Sequence, residues 1–177
     1  MTITPDDKDW TWVLDEACTD CGLDTRTVEP TDVPAMVREN VESWRVVLTA
    51  PADEVGRRPA PDTWSGLEYG CHVRDVFRRF DERLHLMLSE TDPQFANWDQ
   101  DATAVEDDYA GQDPVVVAGE LEEAGTRIAD SFDAVTGEEW HRTGARSDGA
   151  RFTVATFSRY FIHDPIHHLY DVTGQRR

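Results

Sequence analysis

Two histidines four residues apart, His163 and His167, are the sharpest chemical feature of this chain. At 100° per residue they differ by roughly 40° around a helix and stack on one face, so both imidazoles can reach one metal ion. His168 points roughly 100° away from His167 and is expected to lie off that face. Pro165 sits between the pair; lacking the N–H that would bond Phe161, it should bend the helix. Spacing alone leaves two readings open, a pair of ligands or two ordinary histidines, because an isolated i, i+4 pair is common. A third ligand must come from another element. His72 lies at the edge of an apolar arc formed by Val76, Phe80, Leu84 and Met87, so it can face the interior of a helical protein. Asp75, three residues on, can accept the spare ring N–H of His72, and Asp171 stands four residues after His167. Three neutral imidazoles would leave a divalent cation its full charge and an open position, the arrangement of a catalytic rather than a structural site. His85 and His141 have no such companions and read as surface residues.

Cysteine provides a second motif. Cys18 and Cys21 form a C-x-x-C pair, which can be redox-active or half of a zinc site lacking two further ligands. Two inert loop thiols are the equal alternative. Cys71 adjoins His72 but is turned roughly 100° from it on a helix, away from any shared metal. Three cysteines are too few for a disulfide framework and fit a reducing compartment.

Four helices must position these groups. Met36, Val37, Val41, Trp44, Val47 and Leu48 recur at helical spacing, with Asp32 or Thr31 as cap and Pro51 beyond the end. Ser65 and Glu68 fit a capping box opening a second helix that runs to about Glu90. Pro114 opens a third, through Phe132. The last runs from about Thr153 to Val172, apolar or aromatic around most of its circumference, and ends at Gly174. Long loops separate the second and third helices and the third and fourth; residues 1–29 read as an arm laid on the bundle of residues 30–177. No segment alternates with period two for long enough to predict a strand. The expected fold is therefore all-α, an antiparallel four-helix bundle with two long loops and an N-terminal arm. Trp98, Arg146, Arg159 and Tyr160 are candidates to line a substrate pocket, each with a plain alternative as a loop salt bridge or a core aromatic.

The segments Trp64-Ser65, Glu68, Tyr69-Gly70-Cys71-His72-Val73-Arg74-Asp75 and His163-Asp164-Pro165-Ile166-His167-His168 resemble the DinB/YfiT-like superfamily over residues 30–173. That superfamily includes the N-terminal domain of mycothiol-dependent maleylpyruvate isomerase and related thiol S-transferases. The resemblance implies a four-helix bundle with an unusual connection and a divalent metal (zinc, nickel or manganese) near one end. Carried over residue by residue, it implies His72, His163 and His167 as the ligands. It further implies an enzyme that presents a low-molecular-weight thiol such as mycothiol to a small electrophile, since a metal-bound thiol loses its proton readily. A metal-dependent hydrolase would need the same site, with water activated instead. A metal-binding stress or partner-binding protein without turnover is the non-enzymatic alternative.

Composition narrows the partners. With 36 acidic against 17 basic residues the net charge is −19, and Lys8 is the only lysine. Such a chain lacks the basic footprint that nucleic acid or an anionic membrane requires. Six Trp, seven Phe and four Tyr make it too aromatic for a disordered acidic chain. No apolar run approaches the ~20 residues that span a bilayer, and the polar start is unlike a signal peptide, so a cytoplasmic protein with a small-molecule substrate is expected. The sequence leaves a homodimer open. An anionic substrate would need local help against the overall charge, for which Arg146 and Arg159 are the candidates.

Overall fold

The structure is a computed structural model and describes residues 9–177; Lys8 and the rest of the polar start lie outside the described residues. Six α-helices occur among them: α1 (Val33–Leu48), α2 (Ala52–Val55, one turn), α3 (Gly66–Ser89), α4 (Gln100–Glu106), α5 (Pro114–Asp133) and α6 (Val154–Thr173). Four of them, α1, α3, α5 and α6, make the bundle. Helix α5 packs along both α1 and α3, and α6 closes the other side against the same two. Helices α1 and α3, neighbours in sequence among the four, are therefore diagonal partners with little direct contact.

Local chemistry explains the ends. The Ser65 hydroxyl accepts from Glu68 N–H at 3.2 Å while Glu68 accepts from Ser65 N–H at 2.9 Å, which completes the expected capping box. Arg58 pairs with the same buried carboxylate. At its far end α3 is tied to the loop before α6, where Arg142 donates to the carbonyls of Met87 and Glu90 at 2.6 and 2.7 Å. Helix α6 runs through Pro165 unbroken. The Pro165 carbonyl accepts from Asn40 Nδ2 at 3.0 Å and Trp44 Nε1 at 3.4 Å, both buried on α1. Gly70 leaves room for the Leu48 side chain of α1, 2.7 Å from where a Cβ would stand.

Two features depart from the expected fold. The long loop after α3 contains α4. A small sheet is also present: β1 (Gln94–Phe95) pairs parallel with β2 (Thr143–Arg146), which pairs antiparallel with β3 (Arg151–Thr153). Strands of two to four residues are too short for alternation to register, and this sheet is held by its position over the bundle end: Gly144 leaves room for Phe95, 2.7 Å from where a Cβ would be. The arm is woven into the core. Val13, Cys18, Cys21, Leu23 and Val28 are all buried, and its first 3-10 turn, Trp10–Leu14, lies on α6. Among the described residues no helix is long and apolar enough to cross a membrane.

The core is strongly aromatic. Phe161 is fully buried and meets Phe80, Phe132 and Phe77 at ring-centroid distances of 5.2, 5.7 and 5.9 Å, joining α3, α5 and α6. Phe161→Ala should cost about 3–5 kcal/mol of stability, read as a lowered urea midpoint at unchanged slope.

Candidate metal centre

The two pairs of ligand-type residues on the last helix point to different places. On α6, His163 and His167 share one face, while Asp164 and His168, also i, i+4, share the adjacent face one 100° step round. His72 of α3 stands against the second face, so His72, Asp164 and His168 bring one ligand atom each within 4.8 Å of one another. The first face meets the arm instead, where His163 and His167 gather with Cys18 and Cys21 within the same limit. The expected set His72, His163 and His167 is thus divided between two clusters. The reason is the phase of the helix: residues one position apart cannot look the same way.

The cluster around His72 lies deep. His72 is fully buried, stacked on Trp98 at 5.4 Å and 5°, tilted against Trp64 at 5.4 Å and edge-on to His168 at 4.9 Å. Neither of its ring nitrogens has a hydrogen-bond partner, and Asp164 Oδ1, also buried, lacks one too. His72 Nε2 stands 3.5 Å and His168 Nε2 3.8 Å from that oxygen, ion-pair distances without hydrogen-bond geometry. His168 Nδ1 donates to Asp171 Oδ2 at 2.9 Å, which turns the Nε2 lone pair towards Asp164. Burial opposes the charge on Asp164, yet the His168 and His72 imidazoles beside it outweigh that and hold the carboxyl down at about 2. Orphaned polar atoms in a closed site are costly, of order 1–3 kcal/mol each. A dication between two imidazoles and a carboxylate would satisfy them, so the residues present fit a metal ion. Such a set, with only three protein ligands, leaves a coordination position for a substrate.

Asp164 and His168, with His163 and His167 beside them, border a cavity of about 390 Å³ whose walls include Trp10, Arg83, Trp98, Arg146 and Tyr160 as well as Asp99, Asp101 and Asp148. Three of the four pocket residues expected from the sequence are therefore on its walls. Arg146 donates to the Tyr160 hydroxyl at 2.8 Å and pairs with Asp148. The fourth, Arg159, faces elsewhere: its Nε donates to the Val28 carbonyl at 2.8 Å and fastens α6 to the arm. Arg83 was not foreseen. It is buried, donates to the Ala96 carbonyl at 3.1 Å, lies over the Phe80 and Phe95 rings, and meets no carboxylate at ion-pair distance among the described residues. Burial, with Arg79 and Arg146 nearby, pulls its guanidinium down to about 10, still cationic at neutral pH. Only its place at the cavity, not its sequence context, marks it out.

The two carboxylates expected behind the ligands also divide. Asp171 serves His168 at 2.9 Å and stands only 3.7 Å from His167 Nε2. Asp75 does not serve His72. It takes a bidentate pair from Arg74, with both contacts at 2.9 Å, and accepts from the Tyr109 hydroxyl at 2.6 Å. Burial works against its charge, but Arg74 and Tyr109 prevail and keep its pKa below the usual carboxylate range. Stability from a depressed carboxyl is complete above the unfolded pKa of ~3.9 and disappears as pH falls through the folded value. Asp75→Asn should therefore cost about 3 kcal/mol at neutral pH, a deficit that narrows on acidification below about pH 4, with metal content unchanged. Urea titrations across pH, with elemental analysis, read both.

The sequence pattern of the DinB superfamily matches residues 35–172. No curated protein matches the chain. Among solved structures, YfiT from Bacillus subtilis, described as a probable metal-dependent hydrolase with an unusual four-helix bundle topology, is similar: TM-score 0.65, 19% identity, covering 98% of this chain and 91% of that one. With the pattern spanning all four bundle helices, the chain belongs to the DinB superfamily.

Proposed function

We propose that the chain is a metal-dependent enzyme whose divalent cation is held by His72, Asp164 and His168, and which transfers a low-molecular-weight thiol of the mycothiol type to a small electrophile in the adjoining cavity. The observation that carries this is the buried His72 ring, with two unpartnered nitrogens beside an unpartnered Asp164 oxygen, behind a cavity walled by two arginines. Zinc suits two imidazoles and a carboxylate best, with nickel or manganese as the alternatives. When bound, the cation supplies Lewis acidity that lowers the pKa of a thiol or of water.

The chain's own residues supply the rest. Asp171 fixes the tautomer of His168 and keeps its Nε2 lone pair directed at the cation's place. Trp98, stacked on His72, keeps water from that ligand, and with Trp10 it offers flat apolar walls to a small substrate. Arg146 is paired with Asp148, so Arg83 is the cation that can seat a carboxylate of the thiol or of the electrophile, on walls that also carry Asp99 and Asp101. Water entering in place of thiol would give the hydrolase reading, which the likeness to YfiT favours.

The zinc-loaded protein incubated with mycothiol and a reactive electrophile should form the conjugate, and His72→Ala should slow it at least about 100-fold with loss of one metal equivalent. Ester or amide cleavage without conjugation selects the hydrolase; neither activity selects a binding protein. Arg83→Met should leave stability unchanged or raised, because it removes a buried charge that meets no carboxylate among the described residues, yet raise KM for an anionic substrate about 10- to 100-fold. Thermal melts and steady-state kinetics of the same preparation separate the two effects.

A further inference from the structure

The second cluster does not belong to that centre. The arm carries Cys18-Thr19-Asp20-Cys21-Gly22, folded as a tight knuckle: Cys18 N–H donates to the Leu23 carbonyl and Gly22 N–H to the Cys18 carbonyl, both at 2.9 Å. Gly22 takes φ 86°, and a Cβ there would stand 2.7 Å from the Arg177 carbonyl oxygen, so the position requires glycine. The chain end clamps the knuckle from behind, with Arg177 N–H on the Cys21 carbonyl at 2.8 Å and the Arg176 guanidinium on the Thr19 carbonyl. Both thiols are thereby turned onto the face of α6 that carries His163 and His167.

All four side chains are buried, at 2% exposure for Cys18, 0% for Cys21, 3% for His163 and 8% for His167. Their ligand atoms lie within 4.8 Å of one another. Cys18 Sγ stands 3.5 Å from His167 Nδ1. Across a tetrahedral zinc with Zn–S of about 2.3 Å and Zn–N of about 2.0–2.1 Å, sulfur and nitrogen are about 3.5–3.6 Å apart. His163 Nε2 is buried with no hydrogen-bond partner, and a cation at the centre of the cluster would satisfy it. Trp10 covers both imidazoles, with centroids at 5.5 and 4.9 Å.

We infer that Cys18, Cys21, His163 and His167 form a four-coordinate zinc site, separate from the centre at His72, Asp164 and His168, that staples the N-terminal arm to α6. Each thiol gives its proton to solvent and its sulfur to the cation. Two thiolates, two neutral imidazoles and one dication sum to zero charge, which suits a buried position. Four protein ligands leave no position for a substrate, so the site is structural. Its consequence is geometric: it holds Trp10, a wall of the cavity, in place.

Cobalt reports the two sites differently, because only this one contains sulfur. The full chain, reduced, stripped of metal and reloaded with Co2+, should show thiolate-to-cobalt charge transfer in the near ultraviolet and strong tetrahedral visible bands, displaced by Zn2+. His72→Ala should keep these bands while losing the other metal equivalent; Cys21→Ser should lose the charge transfer. A measurement needing no variant accompanies this: zinc should slow alkylation of Cys18 and Cys21 at least about tenfold, with the modified positions identified by mass spectrometry. Absence of charge transfer in the cobalt-loaded wild type, or equal alkylation with and without zinc, overturns the inference. Either result with His72-dependent activity intact removes this site alone and leaves the catalytic reading standing.

Discussion

Helix α6 is enclosed by α1 and α3 and by the arm, yet carries His163, Asp164, His167, His168 and Asp171 within nine positions. A buried polar group needs a partner, and this requirement governs the end of the molecule that those residues occupy. Because successive helical residues differ by 100°, the group cannot converge on one point; it separates into two donor sets, each i, i+4. One set is completed by α3 through His72, the other by the arm through Cys18 and Cys21. Between them the Pro165 carbonyl accepts from Asn40 and Trp44, which holds this part of α6 to α1.

The same arrangement links the two clusters mechanically. Asp171 lies beside both: one oxygen takes the His168 N–H at 2.9 Å, and the other stands 3.7 Å from His167, beyond hydrogen-bond distance. Trp10 covers the arm-facing imidazoles and also walls the cavity. The knuckle and the cavity thus share one aromatic ring. The acidic surface plays a different part. It disfavours anions in bulk; at the cavity Arg146 is already paired with Asp148, and the buried Arg83 is a cation that meets no carboxylate at ion-pair distance among the described residues.

The bundle was legible from the sequence because its four helices are long, amphipathic and well capped. The Ser65–Glu68 box and Pro114 placed two helix starts, and Gly174, with its positive φ, closed α6. The sheet was not legible, since strands as short as Gln94–Phe95 have no period to detect and exist only through pairing with a segment some fifty residues away. Arg83 was missed because a cation among Phe80 and Leu84 looks like any polar position on an amphipathic helix. Its burial arises from Phe95 and the loop folded over it.

The sequence by itself determined which chemistries are available: imidazoles, thiols and carboxylates at ligand spacing on a helical scaffold in an acidic chain. It also determined that two residues one step apart on α6 face different directions. What it could not determine is which pair faces which neighbour. His163 with His167 and Asp164 with His168 have identical spacing, so nothing local distinguishes them. The choice depends on the rotation of α6 about its axis, which is set by packing Phe157 and Phe161 into the core and by the side on which α3 and the arm lie. Those contacts are long-range, and so the division of these residues between the two clusters belongs to the tertiary structure alone.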